Sequence, residues 1–80
     1  MLRSILIDDE PQNAFILKKD REMHWPAVGV IAVCHSAKEG IMTIKKEKPD
    51  LVFLDIEMPW MNGFEMLEML DEINFSTIFT

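Results

Sequence analysis

Two groups of carboxylates stand where apolar runs end, and they are the residues with chemistry to offer. Ser4-Ile5-Leu6-Ile7 leads straight into Asp8-Asp9-Glu10, and Leu51-Val52-Phe53-Leu54 leads into Asp55, then Ile56-Glu57-Met58-Pro59. Carboxylate oxygens are hard ligands suited to divalent cations such as Mg²⁺. A carboxylate can also act as a nucleophile in group transfer. Taken alone, each group has an ordinary explanation. Acids after a strand often cap the next helix by accepting its free N–H groups, and a strand-end Asp often orders the loop that follows. Taken together, they imply more. Two buried parallel strands that release carboxylates at the same end bring them into one crevice, as a divalent-cation site with a carboxylate available for reaction.

The elements needed for this arrangement are visible in the pattern. Arg3 to Ile7 is a short aliphatic run, read as a buried strand. Pro11 suits the first turn of a helix, where its missing N–H costs nothing. That helix is expected to run to about Glu22, with Ala14 and Leu17 inward and Phe15 or Ile16 at one margin, and to stop at Trp25-Pro26. Val28 to Cys34 is a second, β-branched strand. Ser36-Ala37-Lys38-Glu39 matches a capping box and starts a second helix, with Ile41, Met42, Ile44 and Ala37 as its apolar face. Lys45-Lys46-Glu47-Lys48 ends it, with cations at the negative end of the dipole. Pro49-Asp50 is a break, and Leu51 to Leu54 is a third strand. A third helix is expected from Gly63 to about Ile73, with Phe64, Met66, Leu67, Met69 and Leu70 apolar, followed by a fourth strand at Thr77-Ile78-Phe79-Thr80. This alternation predicts an α/β fold with a doubly wound parallel sheet covered on both faces. Ligands bind such sheets outside the C-terminal ends of the strands, where the strand order reverses.

Composition narrows the function. Eighty residues make one small domain, and 49% hydrophobic with 28% charged residues is globular rather than disordered. The net charge of −6 speaks against nucleic-acid binding by this segment, because phosphate contacts need clustered Lys and Arg. The single cysteine, Cys34, excludes an internal disulfide and reads as a small buried hydrophobe. No apolar run approaches the roughly 18 residues of a membrane span, and no signal peptide is evident. The expected compartment is the cytoplasm. His24 and His35 read as surface or loop residues.

Ile7-Asp8-Asp9-Glu10-Pro11, Leu54-Asp55-Ile56-Glu57-Met58-Pro59 and Met61-Asn62-Gly63-Phe64-Glu65 together resemble the receiver domain of bacterial response regulators. The Asp-Ile-Glu-Met-Pro and Asn-Gly-Phe-Glu wording is most similar to regulators that carry a LytTR-type DNA-binding domain. The resemblance implies a flavodoxin-like sheet of strand order 2-1-3-4 over residues 1–80. It implies an acceptor, Asp55, phosphorylated by a sensor histidine kinase to give an aspartyl phosphate. It implies Mg²⁺ held by Asp9, Asp55 and the backbone carbonyl of Glu57, with Asp8 acting through water. Pro59 and Gly63 would support the loop, Gly63 by allowing it to turn. Such a module takes part in its own phosphotransfer and is not a turnover enzyme.

The resemblance also has departures. Members of that family run to roughly 120 residues, a common domain size, so the chain is expected to be a C-terminally shortened receiver without the fifth strand and last two helices. The family's switch hydroxyl aligns just past Thr80, which stands one residue short of it. The family's fifth-strand Lys has no counterpart, since Lys45, Lys46 and Lys48 all lie on the second helix side. A fourth strand left at the edge is expected to invite self-association between chains. Trp60 stands where the family usually has a small residue, and is either an inconsequential loop residue or a screen over the acceptor. Two further functions compete with the receiver reading. One is a haloacid-dehalogenase-like phosphatase, against which Glu57 and Met58-Pro59 argue. The other is an interaction module that keeps the fold without phosphorylation.

Overall fold

The computed structural model describes residues 1–59 and 61–80, so Trp60 lies outside the described residues. Seven elements follow in strict alternation: β1 (Leu2–Ile7), α1 (Pro11–His24), β2 (Val28–Cys34), α2 (Ala37–Glu47), β3 (Leu51–Leu54), α3 (Gly63–Glu68) and β4 (Ser76–Phe79). The strands form one sheet of order β2-β1-β3-β4, with every pair parallel. The expected order 2-1-3-4 is therefore the observed one.

The side-chain period of two within a strand sorts the core into two layers. Ile5 and Ile7 of β1 and Val52 and Leu54 of β3 join Cys34, Ala37, Ile44, Met58 and Met66 on the face covered by α2 and α3. Leu6 of β1 and Leu51 and Phe53 of β3 join Ala14 and Val28 on the α1 face. All four β3 residues are buried, which is why that strand reads as a continuous apolar run. Phe53 is fully enclosed, and the Arg21 guanidinium lies 4.9 Å from its ring centroid. Burying such a ring contributes about 2–3 kcal/mol.

The strand order fixes where the site must be. From β1 the chain passes through α1 to β2 on one side, then through α2 to β3 on the other side of β1. The order reverses between β1 and β3, and the crevice at their C-terminal ends is the switch point. The N-terminal ends are tied separately. Arg3 Nη1 donates to the Glu47 carbonyl at 2.7 Å, satisfying the end of α2, and Arg3 N donates to Asp50 Oδ2 at 2.9 Å.

Some expected details differ. Strand β2 carries a register shift, since Ser4 pairs with Val30 and Ile5 with Ala32, so Ile31 has no partner and points outward. Met42 is exposed, and Gly40 takes its place on the inner face of α2, where a Cβ would stand 2.6 Å from Ile7 Cδ1. The capping box of α2 is half made. Ser36 Oγ accepts from the Glu39 N–H, but the Glu39 carboxylate reaches one residue further back, to His35 N. Helix α1 runs two residues past its expected end. Helix α3 is shorter than expected and closes at Met69, where Met69 N and Leu70 N bond to carbonyls three residues back. Its last turn holds no basic residue, and Glu68, Asp71 and Glu72 place negative charge where the dipole disfavours it. Phe64 and Met69 are exposed, and the Phe64 ring meets that of Phe79 of β4 in a tilted pair at 4.8 Å between centroids.

Candidate cation and acceptor site

The strand ladder itself delivers the acids to one place. Past the end of β1, Asp8 N donates to the Cys34 carbonyl at 2.9 Å, and past the end of β3, Asp55 N donates to the Ile7 carbonyl at 2.9 Å. These two bonds hold Asp8 and Asp55 at the same height on neighbouring strands. Asp8, Asp9 and Asp55 each bring a carboxylate oxygen to within 4.8 Å of the others. The side chains of Glu10 and Glu57 are not part of this group. Hard oxygens at this spacing form a donor set that fits a small divalent cation.

The three carboxylates differ in how they are held. Asp8 is 1% exposed and fully engaged. Its Oδ1 accepts from the Glu10 N–H at 2.9 Å, and its Oδ2 accepts from Asn13 Nδ2 at 2.6 Å. Its carbonyl faces His35 Nδ1 at 3.0 Å, and because a carbonyl only accepts, that ring nitrogen carries the hydrogen. Asp9 is half-buried. Asp55, also half-buried, accepts the Glu57 N–H on Oδ1 at 3.0 Å. The ordinary explanation of the first triplet, that it caps α1, does not hold. Glu10 occupies the N-cap position of α1 without a side-chain capping bond.

Burial first, and the neighbouring acids second, act on Asp55. Burial pushes its carboxyl above the usual carboxylate range. The Glu57 N–H bond opposes this, while the Asp8 charge, a hydrogen bond to Asp9 and the Asp9 charge push it further up. An acid held next to two others keeps its proton longer, and a cation would reverse that tendency.

The loop after β3 is built to hold Asp55 still. Met58 is buried in the α2/α3 layer and anchors it. Met61 N bonds to the Pro59 carbonyl, and Gly63 N bonds to the Ile56 carbonyl at 2.9 Å. Asn62 caps α3 through a complete box, its side chain accepting from Glu65 N while Glu65 Oε1 accepts from Asn62 N. Gly63 does not serve the turn through left-handed backbone, since no glycine has a positive φ. It serves close approach, because a Cβ there would sit 3.0 Å from the Asp55 carbonyl oxygen and 3.3 Å from Ile56 Cα. Thr80 follows β4 at the register position beside Asp55, with its N–H bonded to the Leu54 carbonyl at 3.0 Å. Sequence reasoning missed Asn13, whereas His35 is exposed in a loop as expected, with its ring against the Asp8 carbonyl. Asn13 had a signal, as the third residue of a helix whose first turn folds back over the preceding acids.

This fold and this acidic crevice have counterparts among known proteins. The response regulator receiver domain model matches residues 5–79, and the chain belongs to that family, the phosphoacceptor modules of two-component signal transduction. It is 42% identical over 72 residues to an uncharacterised response regulatory protein of Yersinia pestis, covering 89% of this chain and 29% of that protein. It is 35% identical over 74 residues to the transcriptional regulatory protein BtsR of Escherichia coli K12, again covering 89% of this chain and 29% of that protein. The chain thus spans about three tenths of the length of these curated relatives. Among solved structures, the response regulator domain of Thermotoga maritima CheB superposes with a TM-score of 0.85 at 28% identity, over 99% of this chain and 59% of that one. No helix among the described residues is long and apolar enough to cross a membrane.

Proposed function

We propose that residues 1–80 form a receiver unit that accepts a phosphoryl group on Asp55 from a sensor histidine kinase. The observation that carries this reading is the difference in how the three acids are held. Asp8 already holds two N–H donors, whereas only one N–H, that of Glu57, reaches Asp55, at Oδ1. That leaves Asp55 Oδ2 as the nucleophile. It forms a bond to phosphorus as the donor's own bond to phosphorus breaks, giving an aspartyl phosphate. Asp9, Asp55 and the Glu57 carbonyl would hold Mg²⁺ directly, and Asp8 would hold it through water. Bound there, the ion offsets the charge of the carboxylates and the incoming phosphoryl oxygens.

The remaining residues act on the loop. The Met58 anchor, the Pro59 and Gly63 contacts and the Asn62 cap keep Asp55 in line with its neighbours. Thr80, beside Asp55 in register, stands one residue short of the position where the family's switch hydroxyl aligns. The unit is a signalling module in the cytoplasm and does not turn over substrate. Its output is transcriptional, through a LytTR-type DNA-binding domain. The Asp55-Ile56-Glu57-Met58-Pro59 wording and the likeness to a transcriptional regulatory protein support that output.

The test is incubation of the chain with acetyl phosphate and Mg²⁺, read by intact mass. The expected result is a Mg²⁺-dependent gain of one phosphoryl group that is absent from Asp55→Asn. A gain that persists in Asp55→Asn would place the acceptor elsewhere and refute the assignment.

A further inference from the structure

We propose that Asn13 sets the ion selectivity of the crevice by keeping Asp8 from binding the cation directly. The inference rests on the reading of Asp8, Asp9 and Asp55 as the cation site. Asn13 is the third residue of α1, and its side chain reaches back five residues to Asp8 Oδ2 at 2.6 Å. Such a distance marks a short hydrogen bond to a charged acceptor. The Glu10 N–H holds the other oxygen at 2.9 Å, so the carboxylate is pinned at both ends. These two bonds hold the Asp8 carboxylate in one orientation, and loss of the Asn13 bond frees Oδ2 to turn toward a cation.

The consequence follows from what the two common hard cations require. Mg²⁺ demands near-octahedral geometry at about 2.0–2.1 Å and gives up its waters reluctantly. Ca²⁺ takes about six to eight oxygens at 2.3–2.6 Å in a flexible arrangement. A site with two free carboxylates and a third locked behind Asn13 suits the ion that keeps its waters. Release of Asp8 adds a third direct carboxylate and loosens the site, and both changes favour the larger ion. Asn13 is therefore a positioning residue that acts on the cation through Asp8. It is exposed on the first turn of α1, where a substitution leaves the core untouched.

The test is isothermal calorimetry of the full 80-residue chain with MgCl₂ and with CaCl₂. The quantity read is the ratio of the two dissociation constants. Asn13→Ala is expected to shift the ratio toward Ca²⁺ by about tenfold, the lower end of what loss of a supporting contact does to metal affinity. Asn13→Leu, similar in size and without a donor, is expected to repeat the shift. With Asp8→Asn already present, Asn13→Ala is expected to change the ratio no further. An unchanged ratio in both single variants overturns the proposal, as does a full shift in the Asp8→Asn background. The underlying reading is tested separately by Asp9→Asn. If that variant binds both ions as tightly as the native chain, the acidic crevice is not the cation site and the proposed function fails. If it loses them while the Asn13 variants keep the native ratio, only the role of Asn13 fails.

Discussion

Replacement of Asp55 by Asn should make the metal-free protein more stable. The carboxylate oxygens of Asp8, Asp9 and Asp55 lie within 4.8 Å of one another. At that separation two unit charges repel by about 0.9 kcal/mol in water and about 3.5 kcal/mol at an effective dielectric of 20. Asp55 is half-buried, so the screened end of the range applies. Two neighbours then give about 1–2 kcal/mol of relief on neutralisation. Asn keeps an oxygen for the Glu57 N–H, so the substitution removes charge and little else. The pH dependence has a defined direction. Because the Asp55 carboxyl is raised in the folded state, the folded chain holds that proton more tightly than the unfolded chain. The advantage is complete below the unfolded-state value of about 3.9 and is lost as pH rises through the folded value. The gain from Asp55→Asn is therefore expected to be absent in acid and to grow toward neutrality. The assay is urea unfolding followed by circular dichroism in EDTA, at pH values from acid to 7.5. For a domain of this size each kcal/mol corresponds to roughly 4–8 °C in melting temperature, which gives an independent reading. Added Mg²⁺ should narrow the difference by stabilising the native chain. A native chain as stable as Asp55→Asn in EDTA at pH 7.5 would refute the argument from charge crowding.

Other expectations concern the parts that hold the site. Asn62→Ala removes the side-chain half of the α3 capping box, the Glu65 N–H bond to Asn62 Oδ1, and is expected to cost about 1 kcal/mol, measured by urea unfolding. It should also weaken Mg²⁺ binding, because α3 begins where the acceptor loop ends. Gly63→Ala forces a methyl against the Asp55 carbonyl at 3.0 Å and is expected to cost about 1–3 kcal/mol in the same assay. Full native stability in Gly63→Ala would show that the loop yields freely. Cys34 is buried and its thiol is pushed up, chiefly by burial, against the opposing Thr43 bond and with the Glu39 charge adding to it. Its reaction with iodoacetamide should be slow in the native chain and fast in urea, and rapid labelling of the native chain would contradict this.

The sheet was legible because buried parallel strands and amphipathic helices leave strong periodic signals. Val28–Cys34 and Leu51–Leu54 were readable to the residue, since β-branched and aliphatic runs ended at acids or turn residues. What failed was local and depended on tertiary contact. Nothing in the apolar pattern of Met66, Leu67, Met69 and Leu70 says that α3 closes at Met69. Its end is set by tightening backbone bonds and by acids at the wrong pole of the dipole. Met42 matched the apolar face of α2 by type, yet the close packing of Gly40 on Ile7 turned it outward. The acids of the crevice were legible as a set, because two strands ended in Asp. Their different roles were not, because those depend on which N–H groups reach which oxygen. Asn13 looks like any polar residue on a helix until the chain folds back over Asp8.

These same charges link stability to signalling. Three carboxylates at one sheet edge lower the stability of a small domain, which has little to spare. The fold accepts them by unequal treatment. Asp8 is neutralised in part by two protein donors and a buried position, whereas Asp55 is left half-open beside Asp9. A cation relieves what the fold leaves unresolved, and on the proposed reading a phosphoryl group restores the excess of negative charge. Binding of the ion, reaction at Asp55 and the stability of β1 and β3 therefore share one electrostatic balance. A substitution that eases this balance should stabilise the chain and weaken its hold on the ion together. Asp55→Asn and Asp9→Asn should both do so, whereas Asn62→Ala should lower stability and ion affinity at once. That contrast separates residues that carry charge to the site from those that only hold it in place.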